Sequence, residues 1–250
     1  MKTVKHLFSL FLIILLFSIT FSCAKKEENK KLEYKVNRLT DSLVIDANWN
    51  KPQWQKVNSL AITNNMGEEP KHSPKTEVKM LYDSSNIYVI FKVQEKYVKA
   101  IATKVNEYVY RDSGVEFFFT PSKTIEDGYY NLETNCIGTP YFKHQISFQK
   151  DVSNIDVEDV KKIKIAHSLP SIINSEIEEL TEWTLEYKIP INVLEKYVKV
   201  TKPTSGVIWR ANFYKTADAT SNPHYITWNV VENATPNFHL PKYFGIIKFN

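Results

Sequence analysis

From residue 39 onward, apolar residues recur at every second position more often than at every third or fourth. A period of two marks half-buried strands. In Thr76–Tyr82, Val78, Met80 and Tyr82 share one face, and Glu77 and Lys79 share the other. Asp83-Ser84-Ser85-Asn86 reads as a turn, and Ile87–Val93 returns as the second strand of a hairpin. The same alternation predicts strands at Val115–Thr120, Tyr129–Ile137, Tyr141–Phe148, Trp183–Ile189, Val207–Thr216, His224–Trp228 and Phe244–Phe249. In Trp183–Ile189 the side chains of Trp183, Leu185, Tyr187 and Ile189 line up on one face, and burying them contributes about 1.5–3 kcal/mol each. Helix is confined to a turn around Pro52–Val57 and a segment Ile191–Val198. The latter follows Pro190, which lacks the N–H that a strand ladder needs and suits a helix start. Asp151–Asp159 is acidic without the spacing of a calcium loop, and reads as a solvated loop. Trp54 and Trp209 are assigned to the core. Many short strands between turn signals predict one all-β, antiparallel domain over residues 39–250, a sandwich or a barrel.

Composition sharpens this picture. The chain has 250 residues, 43% of them apolar and 13% aromatic, with only 6 glycines, which excludes disordered, collagen-like and low-complexity classes. The formal charge of +4 is unevenly placed: Lys2 and Lys5 carry +2 and residues 25–38 carry +3, leaving −1 for residues 39–250. A near-neutral domain has no electrostatic reason to bind nucleic acid. Residues 1–22 have a positive start and an apolar run, Leu7–Phe21, of about 22 Å as a helix, short of the ~30 Å hydrocarbon core. They read as a secretory signal. Thr20-Phe21-Ser22-Cys23 resembles a bacterial lipoprotein box, in which the cysteine sulfur is lipidated and becomes the new N-terminus. With Cys23 so used, Cys136 remains alone and no intramolecular disulfide is expected. Residues 23–38 then form a charged flexible tether. The Lys-Glu cluster behind Cys23 resembles surface-export signals of Bacteroidota lipoproteins, although a plain linker would carry the same residues. The expected location is the bacterial cell envelope, at the outer membrane.

Several strands carry polar side chains where a half-buried sheet does not need them. On Tyr129–Ile137 the odd positions are Asn131, Glu133 and Asn135, opposite Tyr130, Leu132, Thr134 and Cys136. Glu116 stands opposite Val115 and Phe117. Arg210, Asn212 and Tyr214 alternate with Trp209, Ala211 and Phe213, and His224 and Trp228 share a side. If these strands are neighbours, the polar residues form one patch of amides, carboxylates and a guanidinium beside aromatic rings. Such a patch suits sugar, whose hydroxyl pairs take bidentate hydrogen bonds and whose apolar face packs on a ring. The same residues also suit a solvated sheet face held by salt bridges, and Asn131 and Asn212 suit strand-edge braces.

Asp112-Ser113-Gly114-Val115-Glu116-Phe117-Phe118-Phe119 and Tyr129-Tyr130-Asn131-Leu132-Glu133-Thr134-Asn135 with Gly138 resemble the carbohydrate-binding module family 9-like domains. The resemblance runs on through Trp183…Ile189-Pro190, Arg210-Ala211-Asn212-Phe213-Tyr214-Lys215 and His224-Tyr225-Ile226-Thr227-Trp228-Asn229. It closes on Pro236-Asn237-Phe238-His239-Leu240-Pro241…Phe244-Gly245, and Ile45-Asp46 with Pro52 and Trp54 is similar to the family's opening. It therefore covers about residues 43–249. It implies an antiparallel β-sandwich with one or two short helices and a non-catalytic carbohydrate site. Glu116, Asn131, Glu133, Asn135, Arg210, Asn212, Tyr214, His224 and Trp228 would line or brace that site, with His239 and Lys215 in support. The family's paired-tryptophan clamp has no clear counterpart; Trp49 and Trp228 are the two left free by the pattern. The implied partners are a carbohydrate, a membrane through the lipid only, and a glycan-degrading enzyme. No cofactor is expected, although the resemblance leaves room for structural calcium. Two other classes stay open: a glycoside hydrolase using Glu116 and Glu133 as its paired carboxylates, and a haem-binding sandwich, for which Met66 and Met80 are the mature chain's methionines.

Overall fold

The computed structural model describes residues 31–170 and 172–250. The leader, Cys23 and the first part of the expected tether lie outside these residues. The strands are, in chain order, β1 (Glu33–Arg38), β2 (Leu60–Ile62), β3 (Asn64–Asn65), β4 (Lys75–Tyr82), β5 (Asn86–Glu95), β6 (Val98–Ala100), β7 (Gly114–Thr120) and β8 (Tyr129–Asn135). They continue as β9 (Pro140–Ser147), β10 (Lys150–Asn154), β11 (Lys164–His167), β12 (Ile173–Ile177), β13 (Thr181–Pro190), β14 (Ile208–Thr216), β15 (Tyr225–Thr227) and β16 (Gly245–Phe249). Three one-turn helices accompany them: α1 (Pro52–Gln55), α2 (Val157–Val160) and α3 (Ile191–Leu194). Among the described residues no helix is long and apolar enough to cross a membrane.

The fold is all-β, and its main strands form one continuous hydrogen-bonded path, β10-β9-β8-β7-β14-β16-β1-β4-β5-β13-β11. Pairings along it are antiparallel except at β1, which runs parallel to both neighbours. Residues 33–36 of β1 pair with β16 and residues 37–38 pair with β4. That one strand therefore joins a half containing β7–β10, β14 and β16 to a half containing β4, β5, β13 and β11. The halves share packing contacts: Phe91 of β5 lies edge-on to Phe213 of β14 at 6.0 Å. Val78, Met80, Val89, Trp183 and Leu185 of one half share a core with Phe117, Phe119, Leu132, Trp209 and Ile247 of the other. A buried ion pair crosses the same space, Lys215 Nζ to Glu95 Oε2 at 2.9 Å, with the Trp183 indole N–H donating to Glu95 Oε1 at 2.8 Å.

The outer faces are capped separately. Under α1, Trp54, Leu81, Tyr88 and Ile90 form a small core. There Glu186, fully buried, accepts from Trp54 Nε1 at 2.8 Å and from the backbone of Asp46 and Ala47, and pairs with Lys51. On the other half, Phe118, Tyr129 and Tyr214 pack beneath a loop that supplies Val231, Phe238 and Phe244.

Each strand expected from sequence matches one of these elements within a few residues, whereas β2, β3, β6, β11 and β12 were not expected. Asp83 caps the β4–β5 turn by accepting from Ser85 N and Asn86 N at 2.7 Å. Three expectations need correction. Residues 33–38 are not tether but β1, because Tyr34 and Val36 alternate with polar neighbours and bury into the core. Residues 150–160 are not a plain loop: β10 pairs with β9, and α2 is capped by the Asp156 side chain accepting from Glu158 N at 2.8 Å. The helix behind Pro190 stops at Leu194.

Candidate functional site

The outward side chains of β7, β8 and β9 make the floor of a cavity of about 690 Å³, within the range of small-molecule sites. Alternation dictates who points there. Phe117, Phe119, Tyr130, Leu132 and Phe142 take the inner core, so Glu116, Asn131, Glu133, Tyr141, Lys143 and Gln145 are left for the cavity side. Register completes the arrangement: Glu116 stands directly opposite Glu133, Glu133 opposite Tyr141, and Asn131 opposite Lys143. An amide chain ties the floor together. Gln145 Nε2 donates to Asn131 Oδ1 at 2.9 Å, and Asn131 Nδ2 donates to Glu133 Oε1 at 2.9 Å. The other Glu133 oxygen, Oε2, is buried with no hydrogen-bond partner.

Three segments raise the walls. The loop before β16 contributes Pro236, Phe238 and His239. Tyr214 holds this loop from below, stacking on Phe238 at 4.1 Å and donating its hydroxyl to the Phe238 carbonyl at 3.1 Å. The β9–β10 hairpin contributes Phe148 and Val152, and Phe148 stacks on His239 at 4.6 Å. The one-turn segment Val109–Arg111 brings Tyr108 and Tyr110, with Asp218 and Tyr225 beyond them. Phe148 is 45% exposed and Tyr108 60% exposed, so both reach solvent at the rim, and the Arg111 guanidinium lies over the Tyr108 ring at 5.4 Å. Gly128, with a positive φ of 83°, lets the turn into β8 pass beneath β9: a Cβ there would collide with the Gln145 carbonyl.

Burial sets the electrostatics of the floor. Glu116 is pushed well above the usual carboxylate range by desolvation and by the Glu133 charge, against a smaller opposing pull from Lys215. Glu133 is raised to about 7 by desolvation, opposed by the Asn131 hydrogen bond and by Lys143. Two carboxyls side by side in low dielectric cannot both ionise readily, so the pair retains a proton near neutral pH. His239 is lowered to about 4 by burial and by Lys143. It is therefore neutral, and its Nδ1 accepts from Gln145 Nε2 at 3.1 Å and lies 2.9 Å from the Tyr129 hydroxyl.

Of the nine residues singled out by sequence, Glu116, Asn131 and Glu133 line the cavity. Tyr214 supports its wall. The other five are elsewhere. Asn135 donates to Asp112 Oδ2 and to the Ala102 carbonyl, and accepts from Thr139 N, which fixes the turn after β8. Arg210 grips the start of β16 through the Phe244 and Gly245 carbonyls. Asn212 exchanges hydrogen bonds with the Asn229 backbone, a strand brace. His224 is buried beside Glu95 and Lys215, with its pKa lowered to about 2 by desolvation and Lys215. Trp228 packs in the core against Phe213 at 5.8 Å, and a Cβ on Gly245 would lie 2.7 Å from its ring. Trp49, the other free candidate, lies under the Lys79 and Lys92 ammonium groups on the opposite half. Lys215 is behind the floor, whereas His239 lines the cavity. Tyr141, Lys143 and Gln145 were not among the residues singled out, although their i, i+2 spacing on β9 is the same signal that marked Asn131 and Glu133; Phe148, in the turn after β9, lies outside that alternation. Among the described residues no group of three or more His, Cys, Asp or Glu side chains is placed to hold a metal ion. Of the two methionines considered for haem, Met80 is inner core and Met66 lies under the outer loop.

Fold and cavity define a class: a β domain presenting a polar floor between aromatic walls. Residues 43–249 match the profile of carbohydrate-binding family 9, and the chain belongs to that family. It is similar to a Bacteroides uniformis ATCC 8492 protein described as a candidate carbohydrate-binding protein, with 23% identity and a TM-score of 0.79 over 88% of this chain and all of that one. It also resembles a family 9 module from Caldicellulosiruptor kristjanssonii solved with cellotriose, at 16% identity and a TM-score of 0.59 over 87% and 93% of the two chains. The same source's module solved with glucose gives 17% and 0.59 over 88% and 96%. No curated protein matches.

Proposed function

We propose that this protein binds carbohydrate without cleaving it, in the cavity over β7, β8 and β9, on a two-layer sandwich. The observation that carries this reading is the joining of a buried polar floor (Glu116, Asn131, Glu133, Gln145) to exposed rings at the rim (Tyr108, Phe148). A pyranose needs both: directional partners for its hydroxyls and a flat apolar surface for its C–H face. Lipidation of Cys23 would place the domain on the cell envelope, at the outer membrane, where it would capture glycans for an enzyme partner. Residue 31, where the described chain begins, is eight positions beyond that cysteine.

A broad glycan screen by thermal shift tests the reading, since a ligand that binds only the folded state raises the midpoint by mass action. Binding should be modest, about −4 to −8 kcal/mol, and weakened in Phe148→Ala with the fold intact. A screen with no shift for any glycan would defeat it. Metabolic labelling with a radioactive fatty acid, compared between wild type and Cys23→Ser, tests the anchor.

The carboxylate pair favours a second reading, hydrolysis. A glycosidase needs one carboxylate held ionised and one protonated. Here the pair shares a proton, but no ion pair among the described residues fixes which of the two carboxylates stays ionised. Binding is the better fit. Release of reducing sugar by the purified protein, abolished in Glu133→Gln, would reverse that preference.

A further inference from the structure

Building on the carbohydrate-binding reading of the cavity, we propose that its ligand is a sugar carrying a free amino group, bound as an ammonium between the Glu116 and Glu133 carboxylates. Charge is the first ground. The cavity is lined by three carboxylates, Glu116, Glu133 and Asp218, against one lysine, Lys143. Neither floor glutamate has an ion-pair partner among the described residues. Lys215, behind the floor, is committed to Glu95 at 2.9 Å, and the Lys143 ammonium lies over the Tyr141 ring at 4.4 Å. A uronate or a sulfated sugar would therefore meet net repulsion.

The second ground is an acceptor without a donor. Glu133 Oε2 is buried and unpartnered while its side chain lines the cavity. A buried acceptor left bare is costly, and an ammonium brings three donors, enough for that oxygen and for Glu116 together. A hydroxyl brings one donor and no positive charge to balance the charge that the pair carries. The rim supplies the third ground. Aromatic faces attract cations, and Tyr108 and Phe148 are partly exposed at the cavity mouth.

The proton balance is simple. At neutral pH the carboxyl pair holds a proton; the arriving ammonium keeps its own protons, and the proton of the pair leaves to solvent. Other groups face the pair: Tyr129 on β8, Tyr141 and Lys143 on β9, Tyr214 and Lys215 on β14, with His239 and Asp218 on the walls. The tyrosines are shifted upward and His239 downward, so these rings do not change charge near neutral pH.

Titration calorimetry at pH 7 with three trisaccharides of one linkage, built from glucosamine, N-acetylglucosamine and glucose, tests the proposal on the intact protein. The amine-bearing chain should bind at least about tenfold more tightly than the other two, a difference of about 1.4 kcal/mol. Its binding alone should release protons, read as a dependence of the heat on buffer ionisation enthalpy. In Glu116→Gln and Glu133→Gln, which keep the shape, the advantage should shrink toward parity. Circular dichroism checks their folding, and if either fails to fold the wild-type affinity ratio and proton release still decide. If glucose units bind as well as amino units, the charge claim falls and the carbohydrate reading stands. An amine preference that survives both substitutions removes the pair from the account. Binding of none of the three overturns the proposal, and the broad glycan screen then decides separately whether any sugar is bound.

Discussion

Two side chains facing the same cavity titrate in opposite senses. Glu133, raised to about 7 from a normal 4.5, contributes stability that is fully present below 4.5 and lost as pH rises through 7. His239, depressed to about 4 from 6.5, contributes stability that is present above 6.5 and lost as pH falls through 4. Between pH 4 and 7 the two slopes oppose each other in the wild type. In Glu133→Gln the opposing Glu133 slope is removed, so the melting temperature should climb more steeply from pH 4 to 6.5 than in the wild type. Parallel melting curves for the two proteins would contradict this. Two aromatic residues separate binding from folding. Trp228→Ala should cost about 3–5 kcal/mol of stability in chemical denaturation, as expected for a core tryptophan. Phe148→Ala, at an exposed ring, should change stability by less than about 0.5 kcal/mol while weakening sugar binding.

At the scale of elements, the sequence told which face of each strand turns inward but not which strands are neighbours. Alternation placed Asn131, Glu133 and Glu116 on the outward face, and they line the cavity. The same rule put Arg210, Asn212 and Trp228 in the patch, and it could not foresee that the loop before β16 folds over this part of β14. That loop turns an outward face into a second small core, where Arg210 and Asn212 serve as braces. His224 and Trp228 went to the inner core because β15 is only three residues long and its flanks turn inward. β10 is the exposed end of the sheet path, paired only with β9. Its amides should exchange within the fastest class of the sheet and those of β8 within the slowest. Bound sugar should slow exchange at the β9–β10 turn, which carries Phe148; equal protection of β8 and β10 would contradict the assignment of a loose hairpin to the cavity wall.

For the whole molecule, the Glu95–Lys215 pair is a fastener between the two halves, with both side chains fully out of solvent. Removing one partner strands the other charge in the core. Lys215→Met should therefore cost about 3–5 kcal/mol, and the Glu95→Gln, Lys215→Met double variant should recover part of it. Additive losses would show that the two charges do not depend on each other. None of this was legible in the sequence, because a lysine and a glutamate 120 positions apart reveal no partnership until the halves close. The join at β1 was equally hidden, since its charged residues look like linker. Yet this strand pairs in register first with β16 and then with β4. Any tension entering from the N-terminal side of β1 must drag that strand lengthwise against two hydrogen-bonded neighbours before the rest of the domain feels it. A strand loaded along its own axis yields by shear, many bonds failing together, rather than by unzipping one bond at a time. Pulled from its N-terminal side in a single-molecule trap, the domain should resist more force than when it is pulled through β10.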